Sequence, residues 1–234
     1  MKMRIVGISG SPVAQRNTSY LVEKALQEAK RAIKAWRPDI EVETILVSLG
    51  KKKIMGCIDC MACQRKGTLC ILKDDWLECV SHLIDPVPDG VIIGSPVYWH
   101  STNSQLRAFL ERFTCLFKYA WYKEFPIPLP DWSKTAAGAL TVGYHRHGGQ
   151  ENAALNIISF LLSAGFVTVG SFSQEDGPIG YIAGTAWSGC PEAQGKEQPR
   201  VAADEFGRYS VEALGKRVGE TALRLRLGDM DLSK

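Results

Sequence analysis

Four of the seven cysteines fall within fifteen residues, at Cys57, Cys60, Cys63 and Cys70. The first three recur at every third position and the fourth follows after six more residues. Thiolates two residues apart can wrap one face of a compact cluster of iron and sulfide, and a fourth slightly further on closes the cage. The spacing therefore suits a [4Fe–4S] centre on these four residues. Structural zinc more often takes two pairs separated by a longer stretch. Metal-free thiols and a redox disulfide built on a Cys-x-x-Cys pair stay open as alternatives. Cys79 and Cys115 fall in expected helices and read as small buried hydrophobes, and Cys190 stands alone.

Three further stretches have the composition of ligand-binding loops. Ser9-Gly10-Ser11-Pro12, followed by Arg16-Asn17-Thr18-Ser19, offers hydroxyls, an amide and the N–H groups of a helix start. It lacks the Gly-Lys-Ser/Thr ending of a nucleoside-triphosphate loop and the Gly-x-Gly-x-x-Gly of a dinucleotide loop. A single phosphate monoester suits it, and a capped helix after a polar turn is the plainer alternative. Ser95-Pro96-Val97-Tyr98-Trp99-His100 places two aromatics beside a rigid proline, against which a flat ring can lie. Gly143-Tyr144-His145-Arg146-His147-Gly148-Gly149-Gln150 carries adjacent glycines that let backbone approach a ligand. The histidines form no metal-like set, and no Ser-His-Asp or paired-carboxylate arrangement stands out.

The elements that must carry these loops follow from periodicity. Short apolar runs at 4–8, 90–94, 135–142 and 166–170, and an alternating stretch at 41–47, read as strands. Helical spacing of apolar residues marks the segments from 17 to 33, 74–83, 104–117, 150–163 and 205–227. Five alternations of strand and helix give an α/β fold with a doubly wound five-stranded parallel sheet, order 2-1-3-4-5, and helices on both faces. Residues 1–234 read as one domain, with a cysteine loop at 54–73 and irregular insertions at 118–134 and 171–204. The loops after the strands then gather at the carboxyl edge of the sheet, where such folds bind ligands.

Charge and hydropathy narrow the class. The 234 residues carry a net charge of +3 without a basic, aromatic-studded stripe, so nucleic acid is not expected as a partner. No apolar run reaches the roughly 18 residues of a membrane span, and the N-terminus lacks the apolar core of an export signal. A cytoplasmic, thiol-reducing setting is expected, in which clustered cysteines bind metal or do redox chemistry. Lys51-Lys52-Lys53 before the cysteines reads as a solvated turn or as a dock for an acidic electron carrier.

Taken together, Gly7-Ile8-Ser9-Gly10-Ser11-Pro12 with Asn17-Thr18, Ser95-Pro96-Val97-Tyr98-Trp99, Gly148-Gly149-Gln150-Glu151 and the cysteine motif resemble the flavodoxin-like NAD(P)H-dependent FMN reductase family. Within that family the chain is most similar to the iron–sulfur flavoproteins, over residues 5–227. The resemblance implies FMN, with Ser9, Ser11, Asn17, Thr18 and Ser19 at its phosphate. It also implies that Pro96, Val97, Tyr98 and Trp99, with Gly143, Tyr144, Gly148, Gly149 and Gln150, frame the isoalloxazine ring. Many relatives carry Arg where this chain has Val13, and Arg16 is expected to supply that charge. Many carry Gly where this chain has His100.

The function expected is an FMN-dependent oxidoreductase whose [4Fe–4S] cluster exchanges single electrons with a ferredoxin-like donor and passes them through FMN to a small acceptor, the cofactors carrying the chemistry. One alternative is an NAD(P)H-dependent FMN or quinone reductase without a cluster, its flavin face open near Trp99, Trp121 and Tyr122. Another is a non-catalytic flavodoxin-like binding module. A homodimer or homotetramer joined through the aromatics of 117–132 is also expected.

Overall fold

The computed structural model describes residues 1–117, 129–174, 177–197 and 199–232. Strand β1 (Lys2–Ser9) is followed by helix α1 (Asn17–Trp36), β2 (Glu41–Ser48), the short α2 (Ala62–Lys66), α3 (Trp76–Ile84) and β3 (Gly90–Tyr98). A two-residue β4 (Ser101–Thr102) turns back on β3, and α4 (Ser104–Glu111), α5 (Thr114–Phe117), β5 (Ala136–Gly143) and α6 (Gln150–Ser163) follow. The chain ends with β6 (Val167–Thr168), β7 (Ser171–Ser173), β8 (Gly177–Tyr181), β9 (Gly184–Trp187) and the long α7 (Glu205–Leu232).

The period-2 geometry of the central strands divides the core into two layers. On β1, Met3 and Ile5 face the layer of α1 and α7, whereas Val6 and Ile8 face that of α3, α4 and α6. On β3, Ile92 joins the first layer, and Val91 and Ile93 the second. This two-sided burial explains why the runs are apolar throughout.

The parallel core runs β2-β1-β3-β5, but the single fifth strand expected at 166–170 gives way to two short segments. β6 pairs only with Ala136 and Ala137 at the start of β5, and β9 takes the other half, from Leu140 to Gly143. The chain leaves the edge at Gly170, where a Cβ would lie 2.2 Å from the carbonyl oxygen of Tyr181, so the antiparallel β7–β8 hairpin crosses close to the edge there. The stretch 171–204, expected to be irregular, thus contains the hairpin, a sheet strand and two 3-10 turns. The expected 104–117 helix breaks between α4 and α5. Of the aromatic stretch, Trp132 is 3% exposed and its Nε1 donates to the Leu83 carbonyl, so it belongs to the core and not to an exposed face. Tyr119, Trp121 and Tyr122 lie outside the described residues.

Helices α1 and α7 approach almost backbone to backbone. A Cβ on Gly215 would lie 2.2 Å from the Ala25 carbonyl oxygen, and one on Gly219 2.4 Å from that of Ala29. A rigid carbonyl cannot yield as a side-chain tip can, so overpacking outweighs helix propensity. Gly219→Ala, worth about 1 kcal/mol of stabilisation in an exposed helix, is expected here to destabilise by about 1–3 kcal/mol. Thermal or denaturant unfolding measures the sign.

Candidate functional site: a cysteine pocket and three strand-end loops

The cysteine loop leaves β2 at the carboxyl edge, and its neck is tied on several sides. Lys51 N–H donates to the Pro12 carbonyl at 3.2 Å, and Gly50 packs on the backbone of Ala14. The Gln105 side-chain amide, on the first turn of α4, donates to the carbonyls of Leu49 and Lys52 at 3.0 and 2.7 Å. The returning strand of the neck is held by paired acids: Asp74 accepts from the Met55 N–H at 2.9 Å, and Asp75 from the Lys53 N–H at 2.7 Å. Lys52 is paired with Glu78 at 2.7 Å, so the basic turn is partly neutralised.

Below the neck, Arg112 is 1% exposed and its Nη1 donates to both carboxylate oxygens of Asp74, at 2.7 and 2.5 Å. Its guanidinium lies 4.8 Å from the centre of the Trp76 ring. Burial works against ionisation of Asp74, but hydrogen bonds from Arg112 and from the Met55 and Trp76 amides outweigh it and hold the carboxyl below its ordinary value.

Within the loop, α2 begins after Met61 in the left-handed region (φ 55°) and ends at Gly67 (φ 60°), whose N–H returns to the Cys63 carbonyl. Asp59 is left-handed as well (φ 48°), so Cys60 stands between two residues in a conformation that L side chains disfavour. Cys57, Cys60, Cys63 and Cys70 line one pocket, with Arg112 and Cys115 in its wall. Cys57 is exposed and the other three are partly buried. Among the described residues no three His, Cys, Asp or Glu side chains stand close enough to share a single ion. Four thiols facing one space fit a cluster that takes one thiolate per iron, and so does the buried Nε of Arg112, a donor without a hydrogen-bond partner.

The strand-end loops meet above the sheet. The Gly10 N–H donates to the Gly94 carbonyl at 2.8 Å, and the Asn103 side-chain amide donates to the Gly10 carbonyl at 2.7 Å. Asn103 Oδ1 in turn accepts from Ser95 Oγ at 3.2 Å. Ser9 and Ser19 are buried with their hydroxyls 2.9 Å apart, and Ser11 Oγ bonds to the backbone of Val13. Thr18 is buried, Asn17 half-buried and Arg16 exposed. No side chain caps α1 and no acid sits in its first turn, which leaves its first N–H groups to an anion or to water.

At the end of β3, Val97 pairs with Thr102 and Tyr98 with Ser101, so Trp99 and His100 form a two-residue hairpin turn. Both have positive φ, 48° and 62°, as a type I′ turn requires. Trp99 is fully exposed, Tyr98 half exposed and Pro96 and Val97 half-buried. Gly149 (φ 96°) sits directly against this turn, where a Cβ would come within 2.5 Å of His100 Cα. Gln150 is 4% exposed and folds back into its own loop: its amide donates to the His145 carbonyl and accepts from the Gly148 N–H, which shapes the segment that presents Tyr144. The side chain of Gln150 therefore acts first on the loop. Gly143 gives it room, a Cβ there falling 2.6 Å from Gln150 Nε2.

The family described as NADPH-dependent FMN reductase matches residues 3–176. The chain belongs to that family. It is accordingly an FMN-dependent oxidoreductase. A curated relative named iron-sulfur flavoprotein, from Methanocaldococcus jannaschii, is 30% identical over 93% of this chain and 96% of its own length. Another of that name, from Methanosarcina thermophila, is 30% identical over 75% of this chain and 81% of its own. Among solved structures, a WrbA-like flavodoxin from Agrobacterium tumefaciens superposes with a TM-score of 0.52 at 17% identity, covering 95% of this chain and 98% of its own, a likeness of fold alone. Among the described residues no helix is long and apolar enough to cross a membrane.

The sequence reading did not single out Arg112, Asp74 or Asn103, whereas Cys115 is buried as expected. One signal was present for Arg112: a charge three residues after Phe109, beside the apolar face of that helix. Burial pushes the Cys115 thiol up to about 12 and that of Cys79 to about 11, which leaves little thiolate at neutral pH. In metal-free folded protein at pH 8, iodoacetamide followed by mass spectrometry is expected to label exposed Cys57 and to spare Cys79 and Cys115 until denaturant is added. Labelling of Cys115 at the rate of Cys57 contradicts its burial.

Proposed function

We propose that this FMN-dependent oxidoreductase carries a [4Fe–4S] cluster on Cys57, Cys60, Cys63 and Cys70. In this reading single electrons from a ferredoxin-like donor reach FMN and then a small acceptor. The observation that carries the reading is the gathering of these four thiols around one pocket, whose wall also holds the buried, unpartnered Nε of Arg112. The names of the curated relatives support it. When bound, a cluster supplies one-electron exchange and FMN supplies both one- and two-electron exchange.

The chain's own residues have binding and orienting roles. The uncapped start of α1, with Ser11, Asn17, Thr18 and exposed Arg16, supplies N–H donors, hydroxyls and a positive charge for the flavin phosphate. Ser9 and Ser19 brace that turn from below. Pro96, Val97, Tyr98 and Trp99 form one wall for the ring. Gly143, Tyr144, Gly148 and Gly149 form the other, in the shape that Gln150 gives them. A second reading, an NAD(P)H-dependent FMN or quinone reductase without a cluster, has the family description in its favour. Self-association as a homodimer or homotetramer belongs to the proposal as well.

Protein purified and kept under anaerobic conditions separates the two readings. The first expects flavin absorption over a broad iron–sulfur shoulder, with about four iron and about four sulfide per chain. Flavin without iron, bleached rapidly by NADPH, establishes the second. A separate substitution tests the phosphate site. Asn17→Asp places a carboxylate in the first turn of α1, which stabilises the helix but repels a phosphate. FMN affinity, followed by quenching of flavin fluorescence, is expected to fall about tenfold or more, ~1.4 kcal/mol, while the melting temperature of the apoprotein holds or rises. Unchanged affinity places the phosphate elsewhere.

A further inference from the structure

We propose that Arg112 positions the cysteine loop and sets the reduction potential of the cluster held there. The inference rests on the cluster reading above and adds a residue to it. Three observations carry it.

The first is connectivity. The Asp74 carboxylate that receives Arg112 Nη1 also accepts the Met55 and Trp76 amides, at 2.9 and 3.2 Å. Arg112 itself reaches the carbonyls of Met55 and Leu72, each at the long distance of 3.5 Å. Met55 lies two residues before Cys57 and Leu72 two residues after Cys70. One side chain thus spans both ends of the loop that carries all four thiols.

The second is orientation. Arg112 lines the pocket and Asp74 does not, so the positive end of the pair faces the thiols. The third is an unmet valence. Arg112 Nε is buried and has no hydrogen-bond partner. A buried N–H left unpaired costs stability, and a cluster sulfide or cysteinate in that pocket is the acceptor that would meet it. Packing against Trp76 alone needs neither a charge nor that donor.

The consequence for redox chemistry is electrostatic. A cluster on four thiolates is anionic, and adding an electron makes it more so. A desolvated positive charge and an N–H directed at sulfur stabilise the reduced form more than the oxidised one and raise the potential. The partner carboxylate works in the opposite sense. Removing the charge at Arg112 and removing the charge at Asp74 must therefore move the potential in opposite directions. A role in loop packing alone does not predict this.

The test is a potentiometric titration followed by electron paramagnetic resonance, on full-length protein reconstituted anaerobically with iron and sulfide. Iron and sulfide are counted in every sample. Arg112→Gln is expected to lower the equilibrium constant for cluster reduction about tenfold or more, about 59 mV for one electron. Asp74→Asn is expected to raise it. If Arg112→Gln does not fold, Arg112→Lys, which keeps the charge but loses the Nε–H, is titrated against Asp74→Asn, and a lowered potential is expected again. Displacement of both variants in the same direction, or an Arg112 variant with full iron content and the wild-type potential, overturns the proposal while leaving the cluster reading intact. Wild-type protein that takes up flavin but no iron overturns both.

Discussion

A guanidinium that is 1% exposed cannot stand alone in a protein interior, and Arg112 does not. Its partner Asp74 must be held where it is, and the Met55 and Trp76 amides hold it. Trp76 is fixed by its ring N–H on the Phe109 carbonyl and by its edge-on contact with Phe113. Beyond the ties at its neck, the cysteine loop is thus fastened between α3 and α4 by a desolvated ion pair. Such a pair is no bargain in stability compared with apolar residues of the same volume. Loss of either member leaves a buried charge uncompensated, which makes the geometry of the loop all-or-none. That is a useful property for a segment with little regular structure of its own and with two non-glycine residues in the left-handed region.

The strand-end loops are organised differently, by close approach of backbone. Gly10 hydrogen-bonds across to Gly94, Asn103 bridges Gly10 and Ser95, and Gly149 presses against His100. Each link joins neighbouring loops, so the three behave as one rim. The two-residue turn at Trp99 and His100 shows what this achieves. A type I′ turn normally takes Asn or Gly, and here two bulky residues occupy it. The turn is held by Asn152, which donates to the His100 carbonyl at 2.7 Å, and by Ser101, which bonds to Asn156 at 2.8 Å. The cost of the left-handed turn is offset by α6, and the result is a fully exposed indole at a fixed place on the rim.

Period and burial made the strands of the core legible in the sequence: β1, β3 and β5 are apolar on both faces, β2 alternates, and all are bounded by polar turns. The loops proposed to carry chemistry were picked out by composition, as short runs of serine, glycine and cysteine at strand ends. The fifth strand is present but shorter than 166–170, because Gly170 turns the chain into the β7–β8 hairpin and β9, from a stretch rich in glycine, takes over the rest of that edge. The break between α4 and α5 escaped notice because Leu106, Phe109, Leu110, Phe113 and Leu116 keep helical spacing across it. Arg112 and Asp74 are 38 residues apart, and nothing local in either stretch announces their pairing.

Helix α4 connects the two regions. Its first turn carries Gln105, bonded to the neck of the cysteine loop, two residues after Asn103, bonded to Gly10. Its last turn leads into Arg112. A helix of eight residues is about 12 Å long, so the cysteine pocket lies beside its far end and not at the rim itself, although the neck of the loop starts at the rim. A rigid rod fixed at both ends sets the separation between the pocket and the strand-end loops without leaving it to loop flexibility. Under the proposed function that separation is what electrons must cross. The residues that anchor α4 then matter to that transfer: Asn103 at one end and Trp76 alongside act through the helix, and Arg112 at the other end faces the cysteine pocket itself.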